Sequence, residues 1–237
     1  MKISSWNRFT LIVAFGIVSV ASYGQARLTV RQNGPNTELY FTKAVKAPSY
    51  NEVVGSPYLY EEFVPARVND IDRTLFVRFN VYDNSIEFKG GDAIIYSMPK
   101  SNDYVIELLN GSNKVYETHE YVDDRKEIGN TFFEKVYSDD DFGLYLREII
   151  LFTPVKMAKN SFETNKPAKF KKGKVDFYFQ QLDADSPTLL KLPKREKQFL
   201  KIFDEHSAAV KGFIKKEGLD WEETEDLIRF FQFYFAQ

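Results

Sequence analysis

Residues 74–82 read Thr-Leu-Phe-Val-Arg-Phe-Asn-Val-Tyr, which is the clearest secondary-structure pattern in the chain. Apolar and polar side chains alternate, so every second residue from Leu75 to Val81 falls on one face, and Arg78 and Asn80 fall on the other. This two-residue period predicts a half-buried β-strand.

Further strands flank this one. Turn residues follow at 83–85 and at 90–92, and a second alternating run, residues 86–89, lies between them. Strands of this number and spacing favour an antiparallel meander, a curved sheet or a partly closed barrel. The other strand candidates are residues 38–43, 93–97, 104–109, 114–119, 131–137, 144–153 and 175–181.

The C-terminal part of the chain has a different period. Leu192, Leu200 and Phe203 recur at helical spacing among lysines and glutamates, which indicates amphipathic helices. Asp220 and Glu223 form a capping-box-like pair before the last of these helices. The expected helices lie near residues 193–205, 207–216 and 220–236, with a stop at Gly218.

The strands and helices belong to one unit, because no repeat, low-complexity tract or Gly/Ser linker separates them. The 22 Phe and 14 Tyr residues suit the pleated, half-buried surface of a sheet. The sequence therefore predicts an α+β protein. Its antiparallel β-rich body spans residues 27–189, and its C-terminal helical segment, residues 190–237, packs on the same unit.

The first 26 residues have the pattern of a secretory signal peptide. Lys2 and Arg8 provide a positive start, residues 9–21 are nearly all apolar, and small residues before Arg27 offer a cleavage site. The apolar run is shorter than the roughly 20 residues that a transmembrane helix needs. We expect export, no transmembrane span after cleavage, and residence in the periplasm, with outer-membrane association or release as alternatives.

Composition narrows the classes of function. The chain contains no cysteine, which excludes disulfides, a lipidated cysteine and cysteine-based metal or catalytic sites. A net charge of −2 leaves no basic footprint for nucleic acid. The charge is unevenly placed, since residues 117–141 hold nine acidic and three basic residues, whereas residues 156–174 hold seven lysines and one glutamate.

Two motifs carry a resemblance to a known family. Residues 56–63 read Ser-Pro-Tyr-Leu-Tyr-Glu-Glu-Phe, and residues 78–88 read Arg-Phe-Asn-Val-Tyr-Asp-Asn-Ser-Ile-Glu-Phe. With the lysine-rich tail, residues 192–234, they make the chain similar to a family of uncharacterised exported proteins of Gram-negative bacteria. The resemblance implies export and a single folded unit, and it transfers neither an activity nor a catalytic residue.

Two groups of residues are candidates for ligand binding. Arg78, Asn80 and Tyr82 form a polar and aromatic row on one predicted strand face, which is either a ligand platform or the water-facing side of the sheet. The lysine-rich segment, including Lys171 and Lys172, is either a solvated connection or a site for an anionic polysaccharide, a lipid headgroup or an acidic partner.

Asp139, Asp140 and Asp141 place three carboxylates in a predicted turn, and oxygen-rich loops of this kind bind calcium. Asp123 and Asp124 would add oxygens if the fold brought them close. The segment lacks the EF-hand pattern, so the alternative is a solvated hairpin turn. Calcium is the one cofactor that the sequence suggests.

Enzyme signatures are weak. His119 has no accompanying nucleophile motif, and Glu61, Glu62 and Glu87 supply carboxylates whose spatial separation the sequence does not give. The expected function is therefore that of an exported, envelope-associated binding or interaction protein that is not an enzyme, with an envelope component or another protein as its partner. The alternative is a hydrolase that acts on a cell-envelope or extracellular polymer.

Overall fold

The computed structural model describes residues 29–33, 36–40, 53–69, 71–91, 94–101, 103–122, 127–160, 162–182, 188–203 and 207–236. The predicted signal peptide, Asp123 and Asp124 lie outside the described residues.

The described residues form fourteen strands and three helices. The strands are β1 (Thr29–Asn33), β2 (Asn36–Tyr40), β3 (Val64–Val68), β4 (Leu75–Asn80), β5 (Ser85–Lys89), β6 (Ile95–Ser97), β7 (Val105–Leu108), β8 (Val115–Val122), β9 (Ile128–Ser138), β10 (Phe142–Arg147), β11 (Ile150–Thr153), β12 (Lys169–Lys172), β13 (Asp176–Gln181) and β14 (Leu190–Lys191). The helices are α1 (Glu196–Ile202), α2 (Ser207–Glu217) and α3 (Thr224–Phe235).

Ten strands form one antiparallel sheet in the order β14-β13-β10-β9-β8-β7-β3-β4-β5-β6. The sheet curls into a half-barrel. The ring centroids of Phe79 on β4 and Tyr116 on β8 lie 4.8 Å apart although two strands separate them, whereas a flat sheet would hold those strands about 14 Å apart. The concave face closes on itself there, and the predicted α+β class with a curved antiparallel sheet is confirmed.

The three helices cover the concave face at the other end of the sheet. Phe142 of β10 and Phe179 of β13 pack against α3, where the rings of Phe179 and Phe231 stack at 4.5 Å. Phe230 and Phe231 are fully buried. The aromatic C-terminal helix therefore belongs to the core, because its apolar rings are removed from water by the sheet and by α1.

The ends of the helices differ in part from the prediction. Gly218 follows α2 with a φ of +64°, as expected of a helix stop. The capping-box prediction is wrong, because α3 begins at Thr224 and its N-cap residue, Glu223, makes no side-chain cap. Asp220 instead accepts the backbone N–H of Glu222 at 2.9 Å in the preceding turn.

The predicted strand at residues 144–153 is two strands in different sheets. β10 ends at Arg147 and stays in the main sheet, whereas β11 turns away and pairs with β12. We call residues 149–173, which contain β11, β12 and the connection between them, the arm. β10 and β13 pair directly with each other, so the arm is an excursion between two adjacent strands of the main sheet.

Candidate functional site

A short segment bridges the arm and the C-terminal end of β4. We call residues 53–63 the strap. At one end of the strap, Val54 donates its N–H to Ala168 at 2.9 Å and accepts the N–H of Phe170 at 2.8 Å, so it lies beside β12 as an added strand. At the other end, Tyr58 pairs with Asn80 across an antiparallel bridge.

Arg78, a predicted ligand-binding residue, is engaged within the protein. Its guanidinium donates to the Glu87 carboxylate at 2.7 Å and to the Tyr58 hydroxyl at 3.1 Å. It also lies over the rings of Tyr58 at 3.8 Å and Phe63 at 4.5 Å. Glu87 is buried, so this pair joins the strap to β4 and β5 in a site from which most water is excluded.

The prediction that Arg78, Asn80 and Tyr82 share one strand face needs correction. Asn80 is buried, and its Oδ1 accepts the N–H of Asp83 at 3.2 Å, which closes a turn. Because β4 ends at this turn, Tyr82 lies beyond the strand. Tyr82 packs instead on the base of the arm, within reach of the phenylalanines of β11 and β12.

Three aromatic rings hold the base of the arm. The Tyr82 centroid lies 6.0 Å from that of Phe152 and 5.3 Å from that of Phe170, and these two cross-strand partners lie 5.2 Å apart. Gly55 of the strap allows the close approach, because its φ is +84° and a Cβ there would lie 2.8 Å from the carbonyl oxygen of Phe170. Tyr82 and the arm lysines are thus brought to one region.

The surface of the arm combines exposed apolar side chains with positive charge. Six of its lysines have exposed side chains, and none forms an ion pair with a carboxylate in the described part of the chain. They are Lys156, Lys159, Lys166, Lys169, Lys171 and Lys172. The exposed apolar residues are Leu151, Phe152, Val155, Met157 and Phe162.

Hydrogen bonds link the described residues at the far end of the arm. The backbone of Lys156 pairs with that of Lys166 in both directions, at 2.9 and 2.8 Å. Asn160 accepts the N–H of Phe162 at 3.0 Å through Oδ1. The Phe162 side chain is 96 % exposed and that of Met157 65 %. These hydrogen bonds hold two large apolar groups in water on a fixed backbone.

Two shallow cavities lie on the arm. One, of about 340 Å³, is mainly apolar and is lined by Val54, Thr153, Pro154, Lys156, Lys166, Pro167 and Lys169. The other, of about 370 Å³, is lined by Lys156, Met157, Phe162, Glu163, Thr164 and Lys166. The first is therefore an apolar depression and the second a mainly polar one, and lysines line both.

The three predicted calcium ligands lie in the turn between β9 and β10. Asp139 accepts the backbone N–H groups of Asp141 and Phe142, both at 3.0 Å, through one carboxylate oxygen. Desolvation opposes ionisation, but these N–H groups hold the pKa of the Asp139 carboxyl below its usual range. Among the described residues, no group of three His, Cys, Asp or Glu side chains is arranged to hold a metal ion.

Of the residues named for the hydrolase alternative, Glu61 and Glu62 lie in the strap, whereas Glu87 and His119 lie on the sheet. Three strands separate β5, which carries Glu87, from β8, which carries His119. Glu117 takes a hydrogen bond from Lys135 at 2.6 Å and lies 3.0 Å from His119 Nε2. Burial opposes ionisation, but both neighbours hold the pKa of Glu117 below its usual range. The same carboxylate and burial raise the pKa of the Tyr145 hydroxyl.

Sequence patterns identified the lysines of this site but not Val155 and Met157. Met157 and Val155 stand out only once the fold exposes them at the end of a hairpin.

Within the described ranges, no helix is both long and apolar enough to cross a bilayer. No family model, no curated protein and no solved structure matches the chain.

Proposed function

We propose that this protein is an exported binding or interaction protein, without catalytic activity, and that the arm is the surface that contacts its ligand. The proposal rests on the hydrogen-bonded far end of the arm. There, Phe162 is 96 % exposed among lysines that lack a carboxylate partner in the described residues. Large exposed apolar groups rimmed by polar residues are typical of interaction sites.

Two features support a binding surface more than an enzyme. Burying the apolar side chains on a ligand would recover free energy that solvent exposure now costs, and the lysines would steer an anionic ligand towards them. Of the carboxylates named for hydrolysis, Glu87 is engaged by Arg78, and Glu61 and Glu62 lie exposed in the strap, where no cleft encloses them among the described residues. The signal-peptide pattern of residues 1–26 supports export to the envelope.

The test is retention of envelope components from native extract by the immobilised protein, with and without a chelator. The arm variant is Lys171→Gln with Lys172→Gln. Its matched control is Lys197→Gln with Lys201→Gln, which removes the same charge from an exposed face of α1. We expect the arm variant to lose retention while the control keeps it.

Three results would contradict the proposal. They are equal retention by both variants, an empty bait that is folded, and cleavage of an envelope polymer by the wild-type protein. The last would favour the hydrolase. Loss of retention only when chelator is present would show that binding needs a divalent cation, and Asp140→Asn with Asp141→Asn would then test the turn at residues 139–141.

A further inference from the structure

We propose that the ligand of the arm is the surface of an anionic lipid bilayer, with the far end of the arm inserted among the headgroups. This inference rests on the proposed function, because it names the ligand class of the same surface. Phe162 and Met157 would enter the boundary between headgroups and acyl chains, and the lysines would contact the lipid phosphates.

The order of side chains along the arm matches the layers of a membrane surface. The most exposed apolar residues, Phe162 and Met157, lie at its far end, where Lys159 and Glu163 are also exposed. Lys156 and Lys166 lie opposite each other one step nearer the body, and Lys169, Lys171 and Lys172 lie nearer still. An interfacial segment needs this arrangement, with apolar groups buried by about 5–10 Å and cations at headgroup level.

The arm is strongly positive, and this charge is complementary to an anionic surface. Between Glu148 and Asp176 the only carboxylate is that of Glu163, against seven lysines. Of these seven, Lys174 pairs with Glu222 at 2.7 Å, and the other six have no carboxylate partner among the described residues. Each lysine near an anionic bilayer contributes about 1 kcal/mol, which corresponds to about fivefold in partitioning.

The aromatic residue at the end of the arm favours a bilayer over a soluble polyanion. An anionic polysaccharide would pair with the lysines and cover at most one face of the Phe162 ring. A bilayer removes the ring from water, which is worth about tenfold or more in partitioning. The Asn160 hydrogen bond and the pairing of Lys156 with Lys166 already restrain the backbone there, so insertion costs little conformational entropy.

The test is co-sedimentation with vesicles, using protein that the host has processed at its own N terminus. One vesicle population is phosphatidylcholine alone, and in the other part of it is replaced by phosphatidylglycerol. Phe162→Ala is compared with Phe76→Ala, which removes an exposed phenylalanine of β4. The double variant that carries Lys156→Gln and Lys166→Gln is the test of charge. Its control is the double variant that carries Lys197→Gln and Lys201→Gln. All variants share one N terminus, so differences among them report the arm.

We expect binding to the anionic vesicles only, weakened by salt. Phe162→Ala should lower the partition coefficient about tenfold, and the arm lysine pair about twenty-fivefold, while both controls stay within about twofold. Circular dichroism confirms that each variant is folded.

The inference is overturned by three outcomes. These are no binding to anionic vesicles, equal binding to neutral vesicles, or a Phe162→Ala variant that binds like the wild type. If vesicles fail while the arm variant still loses retention from detergent-cleared, lipid-free extract, the ligand is a protein or a polysaccharide and the proposed function stands. If both experiments are negative, the proposed function fails as well.

Discussion

Replacing Arg78 should destabilise the protein, because the guanidinium neutralises a buried carboxylate. Glu87 retains 3 % of its side-chain exposure, and Arg78 Nη2 lies 2.7 Å from its Oε2. Arg78→Met keeps the apolar stem and removes the charge. The Glu87 carboxylate then stays buried without its cation, and the strap loses both ring contacts and the hydrogen bond to the Tyr58 hydroxyl.

The expected loss follows from these contacts. Removing one partner of a buried ion pair costs about 3–5 kcal/mol. Each of the two cation–π contacts adds about 0.5–1 kcal/mol, and protonation of Glu87 or water entry offsets part of the total. We expect the free energy of unfolding to fall by about 4 kcal/mol, which for a chain of this length lowers Tm by about 10 °C.

Urea unfolding followed by circular dichroism measures this loss. Fluorescence of Trp221, which stacks on Phe199 at 4.4 Å, provides a second probe of the same transition. The control is a double-mutant cycle with Glu87→Leu. The double variant should be more stable than Arg78→Met alone, because neither charge is then left unpaired. A cost below about 1 kcal/mol for Arg78→Met, or strictly additive effects, would refute this reasoning.

Three further predictions concern stability. In urea unfolding, Gly55→Ala should lower the free energy of unfolding by at least about 1 kcal/mol more than Gly111→Ala. Both glycines have φ near +83°, but only at Gly55 would a Cβ meet a carbonyl oxygen, that of Phe170. Phe231→Ala should cost about 3–5 kcal/mol by the same assay, since the ring is fully buried and stacked; a smaller loss would mean that the helices are loosely packed on the sheet. Burial opposes ionisation of Asp176, but two lysines at 2.9 Å hold its pKa below the usual range. Because the pKa of Asp176 is lower in the folded protein, its ionised carboxylate stabilises the fold at pH values above the unfolded pKa of about 3.9. Asp176→Asn should therefore lower the free energy of unfolding by about 1–2 kcal/mol at neutral pH. The difference from wild type should vanish as pH falls through the folded pKa. A pH-independent cost would contradict that assignment.

The fold was largely predictable, because apolar and polar side chains alternate in the clearest strands and turn residues separate the others. Residues 74–82 and 86–89 became β4 and β5 with small shifts at their ends. β3 was missed, since Val-Pro-Ala-Arg-Val contains a proline that discourages a strand assignment. β12 was missed because Lys-Phe-Lys-Lys offers one apolar residue. The continuous run at residues 144–153 hid the break between β10 and β11, since periodicity does not mark where a chain changes sheets.

The candidate site was predictable mainly in its charge. Lysine counts along the sequence identified Lys171 and Lys172 directly. The contact of Tyr82 with Phe170 joins residues far apart in the chain, so no local pattern reveals it. Arg78 looked available on a strand face because the sequence does not show that the strap covers it. Long-range packing decides both cases.

The position of the arm between β10 and β13 bears on how this protein can change over generations. Arg147 lies directly opposite Asp176, so the chain leaves the sheet and returns to it within one cross-strand pair, a gap of about 5 Å. A segment whose two ends are that close can lengthen, shorten or be exchanged without altering the register of the strands that flank it. The recognition proposed for the far end of the arm can therefore change separately from stability in the half-barrel, and exchanging residues 154–167 while β11, β12 and their contacts with Tyr82 and the strap are kept would test this on an unchanged scaffold.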